Sequence, residues 1–213
     1  MRSFSHVTSK GEPLDILLDS IFKKEGGFFI ELGANDGLIQ SNTAMLEFYR
    51  GWKGVLIEPS PNAYAKCCKN RPASTCFNLA CVSNTFEENE ILGDFNGGMM
   101  SSVGGMRTGT QQLVSVKVST LEKILNSVGA TTIDLLSLDT EGYELEILKG
   151  LNLNKYRPRY MLIEVYTNEY SKLVEYLFKH EYKLVMNMTQ YNKEDNPQWD
   201  GTHNDYLFID AKV

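Results

Sequence analysis

Six carboxylates stand where short apolar runs break off. Glu31 and Asp36 lie in Phe28-Phe29-Ile30-Glu31-Leu32-Gly33-Ala34-Asn35-Asp36-Gly37, and Glu58 follows Gly54-Val55-Leu56-Ile57. Asp139 and Glu141 lie in Leu138-Asp139-Thr140-Glu141-Gly142-Tyr143-Glu144, and Glu164 ends Leu162-Ile163-Glu164. Apolar runs of this length bounded by Gly or Pro read as buried strands. Ionised carboxylates are acceptors only. Gathered at one edge of a sheet, they would bind hydroxyls, ammonium groups or hard cations, or take up a proton.

The first run ends in a Gly-bounded turn and leads into a helical stretch, which is the opening unit of a nucleotide-type cofactor site. The dinucleotide fingerprint has glycines at its first, third and sixth positions. Here Gly33 stands first, Asn35 third, and the only other glycine is Gly37. A pyrophosphate needs bare backbone N–H groups at close approach, and Glu31 and Asp36 would repel it. These acids suit a cofactor with a cationic amino-acid end and free ribose hydroxyls, such as S-adenosylmethionine (SAM). Glu58, closing the second strand, is the expected ribose partner, because a carboxylate can accept from two adjacent hydroxyls. Asp139 and Glu141 could hold the cofactor's amino group, bind a metal or act as a base; the alternative is that they cap the following helix.

The elements that must position these groups alternate. Helices are expected over 14–22, 42–50, 62–70 (capped by Pro61 or Asn62), 120–128 (capped by Ser119 or Thr120), 143–149 and 168–180. Strands are expected over 28–32, 54–58, 75–82, 113–118, 133–138, 160–165, 182–188 and 206–209. The pattern predicts a three-layer α/β fold whose mostly parallel sheet ends in an antiparallel hairpin. A single domain over 1–213 is expected, with an N-terminal helical segment over 1–25. Residues 83–112 are rich in Gly and Met and are expected to form a lid or insertion, partly a hairpin, outside the core. Arg107 within it is a candidate substrate contact.

Bulk properties narrow the function. The chain has 213 residues, 42% hydrophobic and 23% charged, with a net charge of -6. No basic run suggests nucleic-acid or anionic-membrane binding, and Lys155, Arg157 and Arg159 read as a solvated loop. No apolar run spans a bilayer, and residues 1–12 lack a signal core. Cys67, Cys68, Cys76 and Cys81 form no C-x-x-C or zinc pattern, so they read as reduced thiols in a cytoplasmic compartment.

Taken together, E-L-G-A-N-D-G at 31–37, S-N-T at 41–43, G-W-K-G-V-L-I-E-P at 51–59, L-D-T-E-G-Y-E at 138–144 and L-I-E at 162–164 resemble the FkbM family of SAM-dependent methyltransferases. The resemblance covers residues 11–165. It implies a Rossmann-like class I methyltransferase fold with a seven-stranded sheet, and O-methylation of a hydroxyl, often on a sugar or glycan such as a deoxyhexose like rhamnose. It implies that Glu31, Gly33, Ala34, Asn35, Asp36 and Gly37 surround the methionine end of SAM, with Ser41, Asn42 and Thr43 beside them. Glu58 and Pro59 would hold the ribose, and Ala80, Cys81 and Val82 would lie along the adenine. The N-terminal Ser9-Lys10-Gly11-Glu12 departs from the S-Q-x-G-E form common in the family.

A sugar hydroxyl is a poor nucleophile at neutral pH, so a base or a divalent metal is expected. Asp139 and Glu164, at neighbouring strand ends, could bind Mg²⁺ or Mn²⁺, with Glu141, His203 or Asn204 completing the shell. Asp139, Glu164 and His203 are the catalytic candidates; His203 is the base preferred on chemistry, and His6 and His180 carry no comparable signal. Tyr166, Tyr170, Tyr191 and Trp199 could stack on a sugar. The competing readings are a non-catalytic SAM-fold binding module, a methyltransferase for a non-sugar small molecule, and an NAD-dependent oxidoreductase, which the missing glycines argue against. Methylation of nucleic acid or protein lacks its basic surface or catalytic tetrapeptide.

Overall fold

The computed structural model describes residues 1–96, 102–105 and 112–212. The chain runs α1 (Leu14–Phe22), β1 (Phe28–Leu32), α2 (Ala44–Arg50), β2 (Lys53–Ile57), α3 (Pro61–Asn70), β3 (Thr75–Phe77), β4 (Ala80–Cys81) and β5 (Glu90–Gly93). It continues through β6 (Val114–Ser119), α4 (Leu121–Val128), β7 (Ile133–Leu138), α5 (Glu144–Lys149), β8 (Pro158–Tyr166), α6 (Tyr170–Lys179), β9 (Tyr182–Asn187) and β10 (His203–Asp210). Seven strands form one sheet in the order β3-β2-β1-β7-β8-β10-β9. All neighbours are parallel except β10, which is antiparallel to both β8 and β9. The order reverses between β1 and β7, and a cleft opens at such a switch point.

Strand periodicity builds the two faces of the sheet. Ile30, Leu32, Ile57, Leu138 and Ile163 pack on one face with Leu121, Ile124 and Leu125 of α4, Ile147 and Leu148 of α5, and Leu173 and Leu177 of α6. Phe29, Leu56, Leu135, Leu162 and Leu207 pack on the other with Leu14 and Leu18 of α1, Met45 and Leu46 of α2, and Cys67 of α3. Among the described residues no helix is long and apolar enough to cross a membrane.

Three expectations are corrected. The strand expected over 75–82 breaks at Asn78, whose side-chain amide donates to the carbonyls of Glu58 and Pro59, each at 2.9 Å. That clamp turns the chain out of the main sheet, so Ala80–Cys81 pairs with β6 in a second, three-stranded sheet of order β4-β6-β5. The α3 cap is Ser60, whose Oγ accepts from Ala63 N at 3.4 Å with Pro61 in the first turn. The described part of 83–112 also contributes to packing. Its β5 pairs antiparallel with β6, and Phe95 is 3% exposed in a small cluster with Ala80 and Val116. Met99, Met100, Met106 and Arg107 lie outside the described residues.

Candidate active site

Register aligns the acids. Leu32 faces Ile57 on one side and Leu138 on the other, and Leu138 faces Ile163. One residue further along each chain gives Glu58, Gly33, Asp139 and Glu164, and Glu164 faces Asp205 of β10 directly. Four carboxylates from four strands therefore stand in one row along the carboxyl edge of the parallel strands, with a glycine in the middle. Gly33 holds φ +77°, and a Cβ there would lie 1.9 Å from the carbonyl oxygen of Asp139. The two sequence motifs touch through their backbones at that point, and only glycine permits it.

Glu58 closes one end of the row. It is buried, and its two oxygens accept from Asn35 N and Ser60 N, each at 2.8 Å. Burial outweighs these two bonds and raises its pKa to about 6. A cleft of about 820 Å³, its open mouth included, runs from Glu58 to Asp139. Gly33, Asn35, Pro59, Ala80, Cys81 and Glu141 line it, all of them candidates from the sequence. Leu79, Phe95, Val103, Thr140 and Tyr143 line it as well. Most of these carry no signal in the linear sequence. Phe95, the aromatic set between Gly93 and Gly97, was the one available signal.

The remaining loop candidates lie behind the cleft. Glu31 precedes the row by two residues from Gly33, so it shares the face of Phe29 and points beneath α2. Its carboxylate accepts from Ser41 Oγ at 2.9 Å, Asn42 N at 2.8 Å and Thr43 Oγ1 at 2.6 Å. Arg71, fully buried, lies 3.7 Å from Glu31 and 2.8 Å from Glu47. It also donates to Gly37 O at 3.0 Å, Ser41 Oγ at 3.2 Å and Thr43 Oγ1 at 3.0 Å. Asp36 caps the turn by accepting from Leu38 N and Ile39 N at 2.9 and 2.8 Å. Ala34 is packed among Leu56 and Met45, and Gly37 leaves room for Arg71 and Cys67. Val82 is buried, with its amide on Ser119 O at 3.0 Å. Glu31, Ala34, Asp36, Gly37, Ser41, Asn42, Thr43 and Val82 thus shape the cleft from outside its lining. The period-two pattern of β1 already carried the signal for Glu31. Nothing in the sequence marked Arg71.

The other end of the row is acidic. One oxygen each of Asp139, Glu141 and Glu164 lies within 4.8 Å of the others. Oε2 of Glu164 is buried without a hydrogen-bond partner among the described residues, and Oε1 lies 3.3 Å from His203 Nε2. Glu141, at φ +59°, accepts from Tyr166 Oη at 2.6 Å. Burial first, then the charges of Glu141, Asp205 and Glu144, push Asp139 well above the usual carboxylate range. Burial, followed by Asp139 and Asp205, does the same to Glu164. Glu144 locks the turn between them, accepting from Thr140 N at 2.9 Å and Gly142 N at 3.1 Å. Oxygen donors only, crowded together with one left unpartnered, fit a hard divalent cation, whose ligands stand about 2.0–2.6 Å from the metal.

The other candidates have structural partners. Asn204 accepts from Thr189 Oγ1 and Tyr191 N at 3.0 and 2.7 Å. Trp199 Nε1 donates to His203 O at 3.0 Å, and the Tyr170 ring packs tilted against Tyr206 with centroids 5.0 Å apart. The basic cluster is not simply solvated: Arg157 donates to Asp210 Oδ2 at 2.8 Å and to Leu153 O at 3.0 Å.

Residues 31–184 of the 213 match the model of the methyltransferase FkbM domain. The chain belongs to the FkbM methyltransferase family, and its sheet is that of class I SAM-dependent methyltransferases. Among curated proteins none matches in sequence. Among solved structures, fibrillarin from Aeropyrum pernix, determined with natively bound SAM, is similar over 91% of this chain and 74% of its own (13% identity, TM-score 0.53). TrmK from M. capricolum, determined with S-adenosyl-homocysteine, is similar over 91% and 67% (12% identity, TM-score 0.54). At these identities the likeness shows the fold.

Proposed function

We propose that this protein transfers the methyl group of SAM to a hydroxyl of a sugar or glycan. The observation that carries the reading is the row Glu58–Gly33–Asp139–Glu164–Asp205. It joins a cleft with apolar walls and a carboxylate at one end to an acidic, hydroxyl-accepting end at the other. Glu58 would take the two ribose hydroxyls, and Leu79, Ala80, Cys81 and Phe95 would enclose the adenine. Asp139 and Glu141 would face the cationic amino-acid end. When bound, SAM supplies a methyl group activated by its sulfonium. The chain itself supplies alignment, exclusion of water and a destination for the hydroxyl proton.

Asp139, Glu141 and Glu164 would hold Mg²⁺ or Mn²⁺, which lowers the pKa of an oxygen it coordinates. His203, fixed on Glu164 and on Thr202 Oγ1 at 2.9 Å, would orient that carboxylate. The acidic rim favours a neutral polyhydroxyl acceptor over a polyanion, which its charge would repel. Tyr166, tilted against the His203 ring with centroids 5.5 Å apart, offers a ring edge beside it.

Calorimetry with SAM and with NAD tests the cofactor half: SAM should bind and NAD should not, and the reverse would return the chain to the oxidoreductase reading. S-adenosyl-homocysteine formation with a panel of glycosides, with and without Mn²⁺, tests the acceptor half. Binding of SAM without turnover of any acceptor would leave a binding module.

A further inference from the structure

The sequence draws no attention to His6, yet the fold carries it to the far end of the acid row. Nε2 of His6 lies 3.1 Å from Oδ2 of Asp205, the terminal member of that row. Asp205 is 2% exposed and is in strand register with Glu164, while the His6 side chain remains 22% exposed. A carboxylate on Nε2 fixes the tautomer with its proton there and leaves Nδ1 as the acceptor. Among the described residues no side chain or backbone group bonds Nδ1.

The segment bearing His6 is tied down on both sides. Its carbonyl accepts from Leu14 N at 3.0 Å, and Ser9 N donates to Thr189 O at 2.8 Å. Tyr191 Oη donates to Val7 O, and the Tyr191 ring lies 6.2 Å from the imidazole. Asp15, fully buried at the start of α1, accepts from Ser3 Oγ and Phe4 N, each at 2.7 Å. The ring is therefore preorganised, which a mobile surface histidine is not.

We infer that His6, oriented by Asp205, is the general base that takes the proton of the acceptor hydroxyl. The inference rests on the hydroxyl-transfer reading above. The acceptor oxygen forms its bond to the methyl carbon as the carbon–sulfur bond breaks. That electron pair stays on sulfur, and the hydroxyl proton passes to Nδ1. Asp205 is a positioning residue that also stabilises the imidazolium. The charged groups facing the ring are Asp205 on β10, Asp139 after β7 and Asp15 on α1. Asp205, Asp139 and Asp15 raise the His6 pKa against the largest single effect, burial, which lowers it. Asp139, which acts electrostatically on the imidazole, lines the cofactor cleft.

The test uses the full chain, SAM held saturating at every pH, and a panel of methyl glycosides, polyols and phenols, with kcat/KM for the acceptor followed from pH 5 to 9. His6→Gly should lose on the order of 10²–10⁴ in kcat. SAM affinity by calorimetry should stay within about twofold, and added imidazole should restore part of the rate. Asp205→Asn should move the acidic limb of the profile to lower pH. Should His6→Gly fold poorly, His6→Gln, which keeps an amide in place of the ring, should show the same loss and no acidic limb. Near-normal turnover in these variants, or a loss with an unchanged pH profile and no imidazole rescue, overturns the inference and leaves the methyltransferase reading standing. A wild-type protein that binds SAM and methylates nothing on the panel overturns that reading, and the base falls with it.

Discussion

Glu58 shows how one side chain links burial to binding. Its pKa lies at about 6 against an ordinary 4.5, which corresponds to about 2 kcal/mol. The folded value is the higher one. In the ligand-free protein this stabilisation is therefore present below pH 4.5 and lost as pH rises through about 6. In the proposed role ribose hydroxyls would donate to the ionised form, so the effect on binding would have the opposite sign. SAM affinity should fall as pH drops through about 6, and calorimetry between pH 5 and 8 should trace that curve. In Glu58→Gln the curve should flatten and the affinity should fall roughly 10-fold or more, as expected for a lost charged hydrogen bond. Glu164 offers a second residue-scale test. If its unpartnered oxygen is a metal ligand, Glu164→Gln should abolish Mn²⁺ binding seen by electron paramagnetic resonance and leave SAM affinity nearly intact. Wild-type turnover that is indifferent to EDTA would remove the metal.

At the scale of elements, the turn after β1 is held from behind. Arg71, at the end of α3, joins Glu31 of β1, Glu47 of α2 and the carbonyl of Gly37. Removing the cation would leave two carboxylates buried and uncompensated, a loss of about 3–5 kcal/mol. Arg71→Met should therefore lower the melting temperature by roughly 6–20 °C, at the 2–4 °C per kcal/mol usual for a chain of this size. A melt within a degree or two of wild type would show that the network carries no weight. Gly33→Ala probes the opposite side of the same turn. Its Cβ would meet the Asp139 carbonyl at 1.9 Å and must push the two motifs apart. SAM binding should drop by more than 10-fold even where circular dichroism shows a folded protein.

For the whole molecule, the row crosses five strands, so a ligand lying along it braces the sheet. SAM at 100 times its dissociation constant should add about 2.7 kcal/mol. That is a rise of roughly 5–11 °C in melting temperature, and no rise with saturating SAM would count against the cofactor assignment. Much of this architecture was legible in the chain. The alternation of strands and helices gave the three layers and the terminal hairpin. Glu58 and Asp139 stood out because each follows an unbroken apolar strand. The break at Asn78 was not legible, because it depends on carbonyls of Glu58 and Pro59 brought alongside by β2. Neither was the core contribution of Phe95, which needs β4 and β6 as partners.

The family motifs, the class of cofactor they suit and the strands that end in acids are all readable from the linear chain. Apolar periodicity and turn chemistry are local, so a linear reading captures them. Which acids share a row was settled by how the strands align in three dimensions. Tertiary packing turned Glu31 toward Arg71, left an oxygen of Glu164 unpartnered among the described residues, and brought His6 to Asp205 across 199 positions of chain. Those pairings follow from strand register and from burial. Both depend on which segments meet, and no stretch of residues encodes that alone.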